Sequence, residues 1–257
     1  MSDGFFIRED DNRFQPTDHT RGPWTPDAQH AGPPAALLGR AIETDQPRPD
    51  FQVARITFDI LRPVPVAPLT TSSKVVRPGR SVELIEASLH AGDAEVMTAR
   101  AWRIRTEELD LPAVVPETAP PSLPDTGEED PGLGSGGYLD AMETRFIKGS
   151  FVEPGPATAW FRMRHPLIAD EPVSPLTRVL IAADSGNGIS ATLDWTKWLF
   201  INPDLSVYLH QHPRGEWVCL EAVTLPESSG VGLAASIIWD EQGSIGRGLQ
   251  SLFIGSR

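Results

Sequence analysis

The sequence predicts an α+β chain of two consecutive units, each a curved antiparallel sheet wrapped around one helix, with the two sheets joined into one. Three observations carry this. A segment rich in Pro, Gly and acids, residues 106–137, divides the 257 residues into two parts of similar length. Each part has the same order, a short apolar helix followed by about four extended runs. The second helix, LTRVLIAA, has only Thr177 and Arg178 as polar members, so it needs cover on most sides, which a strongly twisted antiparallel sheet supplies. Edge-to-edge pairing would protect an open edge strand in each sheet. The expected organisation is a unit at 1–105, a linker at 106–137 and a unit at 138–257.

In the first unit, HAGPPAALLGRAIE (residues 30–43) has small residues at its start and an apolar face from Leu37, Leu38 and Ile42. ARITFDILRPV then alternates Ala54, Ile56, Phe58 and Ile60 against Arg55, Thr57 and Asp59, the period of a half-buried strand. TTSSKVVRPG passes through a Pro-Gly turn into SVELIEASLHA. An Ala-Gly-Asp turn at 91–93 leads into AEVMTARAWRIR.

The second unit opens with TAWFRMRHPLI, which alternates as a strand. In SPLTRVLIAADSGN, Ser174 is placed to cap the helix and Pro175 to begin it. LSVYLHQHP, GEWVCLEAVTLP, VGLAASIIWD and SIGRGLQSLFI follow as strands, with a turn at DEQG. SLHAGDAEVMTARAWRI and SIIWDEQGSIGRGLQSLFI share a strand–turn–strand outline at the ends of the two units.

A net charge of -13 argues against a nucleic-acid partner, because no basic surplus is available to release phosphate counterions. The single cysteine, Cys219, allows no intrachain disulfide and lies in an extended apolar run as a core residue. The first residues show no signal-peptide pattern, and no apolar run approaches the about 20 residues that span a bilayer. The expected location is the cytoplasm.

HAGPPAALL, ITFDILRPVPV, LIAADSGNG, FINPDLSVYLHQHPRGEWVCLEA and GRGLQSLFI together resemble the double-hotdog acyl-CoA thioesterases of the thioesterase II type, and especially their actinobacterial relatives. The resemblance covers nearly the whole chain outside 106–137. It implies a double-hotdog fold, hydrolysis of an acyl-CoA to free acid and CoA, no cofactor, and association of subunits into a homo-oligomer. It also implies a water held and activated by Asp184 on the second helix, Asn202 ahead of the following strand, and Gln250 on the last strand. Asn202 stands where the best-known members carry Thr; an amide can still donate to a water or a carbonyl oxygen. A non-catalytic acyl-ligand binding protein on the same fold is the alternative.

Other candidates are read from position. His30, just before the first helix, either contacts the thioester or caps the helix, and Gly32 is its neighbour in the expected substrate-binding set. Arg77, Arg80 and Arg214 sit beside turns and are candidates for CoA phosphates, Arg80 being preferred. Trp195, Trp198 and Phe200 are expected to border an acyl channel. His210 and His212 alternate on one strand without further ligands nearby, so no metal is expected. Ser185 lacks the G-x-S-x-G context of a nucleophile, and the glycine clusters do not match a dinucleotide fingerprint. The Asp and His of INPDLSVYLH are misplaced for a hydratase on this fold.

Overall fold

The computed structural model describes residues 3–45, 47–111, 119–126 and 136–257. Much of the segment read as a linker, 112–118 and 127–135, lies outside the described residues. Before it come β1 (Phe6–Asp10), β2 (Arg13–Pro16), a 3-10 turn at Asp18–Thr20, α1 (Gly32–Thr44), β3 (Phe51–Ile60), β4 (Leu69–Arg77), β5 (Val82–Ala91) and β6 (Ala94–Arg105). After it come α2 (Tyr138–Ala141), β7 (Met142–Lys148), β8 (Ala157–Met163), α3 (Pro175–Ala183), α4 (Gly186–Ile189), β9 (Trp198–Ile201), β10 (Asp204–Leu209), β11 (Val218–Pro226), β12 (Val231–Asp240) and β13 (Gly243–Ser256).

The described strands form one antiparallel sheet in the order β1-β2-β4-β5-β6-β3-β10-β13-β12-β11-β8-β7, with β9 pairing beside β13. The order is palindromic: β3 corresponds to β10, β6 to β13, β5 to β12, β4 to β11, and the β1–β2 hairpin to β7–β8. The seam is β3 against β10, where Thr57 faces Ser206 and their hydroxyls lie 3.1 Å apart. The expected edge-to-edge joining is therefore present. The β5–β6 and β12–β13 hairpins occupy equivalent places, as their shared outline predicted.

Local chemistry explains the main elements. Ser174 accepts the Thr177 N–H at 3.1 Å, and a proline begins α3 behind this cap. Gly92, at positive φ, makes the tight β5–β6 turn. In β3, Ile56 and Phe58 face inward as predicted. A bulge between Val53 and Arg55 shifts the register, so Val53 replaces Ala54 on the inner face. Cys219 is fully buried beside Trp160, Trp217 and Trp239, and burial pushes its thiol pKa far up, which suits a core residue. Leu123 packs on this tryptophan cluster, and the Pro124 carbonyl accepts from Arg145 Nη1 at 2.6 Å.

One local expectation is corrected, and the structure adds elements the sequence left unassigned. β1, β2 and β7 are strands the sequence did not announce, because each turns few apolar residues inward. His210 and His212 do not alternate along a strand; β10 ends at Leu209, and His212 Nε2 instead meets the Val53 carbonyl at 3.3 Å. The small residues after Asp184 form a further short helix, α4.

The core is one continuous cluster spanning both halves. α1 buries Gly32–Gly39, Ala41 and Ile42, and α3 buries Leu176, Thr177 and Val179–Ala183. The helices pack on each other, α1 also against β4, β5 and β6, and α3 against β8 and β11. At the far end of α1, the buried Arg103 donates to Glu83 at 2.6 Å and to the Ile42 carbonyl at 3.2 Å. This places a cation where the helix leaves unpaired carbonyls. Among the described residues no helix is long and apolar enough to cross a membrane.

The two helices touch through glycines. A Cβ at Gly32 would overlap the backbone carbonyl of Ile181, whereas a Cβ at Gly39 would meet only the end of the Leu180 side chain. Backbone cannot step aside as a terminal methyl can. Gly32→Ala is expected to cost about 1–3 kcal/mol and Gly39→Ala clearly less, measured by urea unfolding; equal losses would show that the helices slide freely.

Candidate active site

Asp184 caps the C-terminal end of α3 and is only 8% exposed. A carboxylate held away from water needs partners, and three separate elements provide them. Asn202, in the turn between β9 and β10, donates through Nδ2 to Asp184 Oδ1 at 2.9 Å. Gln250, on β13, donates through Nε2 to the same oxygen at 3.1 Å and to the Asp184 carbonyl at 3.2 Å. His30 Nδ1 lies 3.2 Å from the other oxygen, Oδ2. The structure thus brings Asp184, Asn202, Gln250 and His30 together.

Each partner is held from behind. The Asn202 turn is fixed by Ile60 N–H donating to the Pro203 carbonyl at 2.7 Å and by Ser251 N–H donating to Asp204 Oδ1 at 2.8 Å. Asn202 Nδ2 also reaches the Asp204 carbonyl at 3.2 Å. Along β13, Gly246, Gly248, Gln250 and Leu252 face inward while Arg247, Leu249, Ser251 and Phe253 face out. Gln250 is 2% exposed and accepts the Asn187 N–H at 3.1 Å. It does not line the cavity in front of Asp184; its amide reaches the carboxylate from behind.

His30 sits as a cap, one of the two roles considered for it. Its Nδ1 accepts the Gly32 N–H at 3.1 Å, capping α1, and the same atom faces Asp184. Gly32 itself does not line the cavity; its N–H is given to His30. A neutral imidazole accepting at Nδ1 carries its proton on Nε2. Burial pushes the His30 pKa down, opposed by the Asp184 charge. The ring stacks on Tyr138 with centroids 3.7 Å apart and planes 8° from parallel. Tyr138 donates to the Ile181 carbonyl at 2.8 Å, so the Ser185 hydroxyl, also at 2.8 Å, must donate to Tyr138.

In front of these groups lies a cavity of about 380 Å³. Its polar end is formed by His30, Asp184, Asn187 and Asn202, and its walls by Trp24, Trp195, Val64, Ile60, Ile201 and Phe253. Trp24, Trp195 and Phe200 pack as an aromatic cluster with centroids 4.5–5.3 Å apart. Of the aromatic residues expected at an acyl channel, Trp195 lines it, Phe200 supports it from behind, and Trp198 lies exposed on β9. Arg80 is exposed in the turn between β4 and β5 and does not line the cavity. Arg77 bonds the Val82 carbonyl and Arg214 pairs with Asp240. The cation at the cavity is Arg62. Sequence reasoning missed Arg62, Trp24, Tyr138 and Asn187; of these, Arg62 inside ITFDILRPVPV and Asn187 inside LIAADSGNG lay in stretches already singled out, whereas Trp24 and Tyr138 did not. Among the described residues, the Oδ1 of Asn187 and Oε1 of Gln29 are buried without a hydrogen-bond partner, and both residues line the cavity.

With this geometry in place, comparison with known proteins places the chain in a family. Residues 20–104 match the acyl-CoA thioesterase N-terminal domain, and residues 116–254 match the acyl-CoA thioesterase C-terminal domain. The chain belongs to the acyl-CoA thioesterase family. No curated protein matches the sequence significantly. Similar solved structures include a conserved protein with a hot dog fold from Alicyclobacillus acidocaldarius (18% identity, 98% of this chain and 96% of that one, TM-score 0.71). They also include the acyl-CoA thioesterase II TesB2 of Mycobacterium marinum (14%, 98% and 95%, 0.69) and the tesB protein of Mycobacterium avium subs paratuberculosis (17%, 97% and 96%, 0.68). At these identities the likeness is one of fold.

The buried histidine makes stability depend on pH. Its folded pKa lies below the ordinary value of 6.5, so between the two the unfolded chain binds more protons than the folded one. Its contribution is complete above 6.5 and is lost as pH falls through the folded value. The urea midpoint of the wild type should therefore drop across that window more steeply than that of His30→Gln. Parallel pH profiles for the two proteins would contradict this.

Proposed function

We propose that this chain is a double-hotdog enzyme hydrolysing acyl-CoA thioesters to free acid and CoA. Each sheet wraps its own helix, with a division at 1–105, 106–137 and 138–257. The observation that carries the proposal is the buried Asp184 carboxylate at the polar end of an apolar cavity, tied through Oδ1 to two amides from separate elements. That tether leaves Oδ2 as the basic atom.

In the proposed reaction Asp184 Oδ2 takes a proton from water, and the water oxygen bonds to the thioester carbonyl carbon. The new O–H lies beside His30 Nδ1, 3.2 Å from Oδ2, so the proton is retained beside the reacting centre. Asn202 holds the carboxylate with one amide hydrogen. The other, now given to the Asp204 carbonyl, is available to the developing oxyanion. The carbon–sulfur bond then breaks, and the CoA thiolate takes the proton back from Asp184. The unpaired acceptors of Asn187 and Gln29 suit N–H groups of the pantetheine arm, and Arg62 suits a phosphate. Subunits are proposed to associate through the outer face of β11–β13, where Leu225, Leu233, Leu249 and Phe253 are exposed.

The non-catalytic binding alternative draws on one observation. Both amide donors converge on the same carboxylate oxygen, and their second bonds go to backbone carbonyls, which leaves neither aimed at a developing oxyanion. Release of free CoA thiol from short-, medium- and long-chain acyl-CoAs separates the two. Turnover by the wild type, falling by at least about 10²-fold in Asp184→Asn and less in Asn202→Ala, supports hydrolysis. Saturable acyl-CoA binding without turnover would establish the alternative. For an active enzyme, kcat/KM is expected to fall on the acid side with a midpoint below 6.5, and His30→Gln is expected to move that limb.

A further inference from the structure

Away from the cavity, three side chains from distant parts of the chain meet at the surface. Asp3 precedes β1, His19 lies in the 3-10 turn, and His165 follows β8. Asp3 Oδ1 is 2.8 Å from His19 Nε2, and Asp3 Oδ2 is 3.4 Å from His165 Nδ1. The two imidazoles stack with centroids 4.0 Å apart and planes 15° from parallel. One donor atom from each residue lies within 4.8 Å of the other two. Among the described residues, this is the one group of three or more His, Cys, Asp or Glu whose donor atoms converge in this way.

We infer that Asp3, His19 and His165 form a binding site for one divalent transition-metal ion, with Zn²⁺ as the representative ion. Two imidazole nitrogens and one carboxylate oxygen are borderline donors, matched to Zn²⁺, Co²⁺, Ni²⁺ or Cu²⁺ rather than to Mg²⁺ or Ca²⁺, which prefer all-oxygen shells. Ligand atoms around a tetrahedral Zn²⁺ at about 2.0–2.2 Å stand somewhat over 3 Å apart, so the site closes on one ion when the two rings turn out of their stack and aim their nitrogens at it. The side chains of His19 and His165 are 24% and 25% exposed and that of Asp3 is 62% exposed. The site is therefore reachable by an ion and leaves a coordination position for water.

The backbone beneath the site is fixed. Phe5 N–H donates to the Pro166 carbonyl at 3.0 Å and Phe6 N–H to the Leu167 carbonyl at 2.9 Å, tying the Asp3 side to the His165 side. Thr17 donates through its hydroxyl to the Gly4 carbonyl at 2.7 Å and accepts the His19 N–H at 3.3 Å. A Cβ at Gly4 would overlap the backbone of Ala169, so the two segments are already in close contact. A bound ion would act as a structural staple, joining the segment ahead of the β1–β2 hairpin and the 3-10 turn to the loop after β8. The 3-10 turn runs directly into Gly22–Thr25 on the cavity wall, so the staple also anchors the start of that wall. No short-range spacing announces this group, which is why the sequence predicts no metal.

The test uses the untagged full chain, stripped with EDTA and desalted, titrated with Zn²⁺ by calorimetry and melted with and without the ion. The expected result is one saturable equivalent per chain and a rise in Tm of about 5 °C at 100-fold excess over Kd. His19→Ala and His165→Ala should each weaken binding at least 10-fold and cut the rise by about half or more at the same Zn²⁺ concentration, while His212→Ala should retain both. The absence of saturable binding, the same binding in both cluster variants, or an equal effect from Mg²⁺ would each overturn the inference.

Discussion

The close approach of α1 to α3 at Gly32 governs much of this molecule. With no side chain at that position, the start of α1 lies directly against the Ile181 carbonyl, one turn before Asp184. Two residues ahead of Gly32 the chain carries His30, so the same contact delivers an imidazole to the carboxylate at the end of the other helix. Gly32 also uses its own N–H to hold that imidazole. Two prolines follow in α1, where the first-turn donors would go unpaired in any case. The packing constraint and the chemistry are therefore one feature, because moving the helices apart would separate His30 from Asp184.

The palindromic strand order creates two such helix crossings, and they differ in content. At one, the start of α1 meets the end of α3, giving His30 and Asp184. At the other, the start of α3 meets the end of α1, giving Ser174 and Glu43, whose side chains hydrogen-bond at 2.7 Å. Burial raises the Glu43 pKa, offset by that bond and by Arg103. The Arg103–Glu83 pair occupies this second end and bonds α1's last turn. The first end opens onto an aromatic-walled cavity, whereas the second is lined by the charged and polar groups of Glu43, Ser174, Glu83 and Arg103. One architecture, used twice, supports two different interiors.

Local signals made the helices and hairpins legible. Ser174 and Pro175 mark the start of α3, Asp184 marks its end, and Gly92 marks a tight turn. Strands with little inward apolar surface were not legible: β1 buries only Phe6, and alternation cannot be seen in one residue. Gln250 was ambiguous because its outward neighbours Leu249 and Phe253 are apolar, so hydropathy alone could assign either face. Tyr138 follows an acidic, Pro/Gly-rich segment and carries no periodic pattern that would place it under His30. Arg80 was placed by its turn, but adjacency to a turn says nothing about which end of the sheet the turn occupies. Convergence of distant residues is a property of the sheet's register, and no short window of sequence contains it.

β13 comes after every other strand in the chain, yet it lies near the middle of the sheet, between β10 and β12 and alongside β9. During synthesis, the first half can complete its own hairpins while β10 still lacks its neighbour on that side. Asp184 is then made long before Gln250, the residue that will hold it. Its two bonds from Gln250 therefore cannot form until the final strand is in place. Insertion of a central strand is a non-local event with a high loop-closure cost, so completion of the sheet and maturation of the site coincide in a single late step.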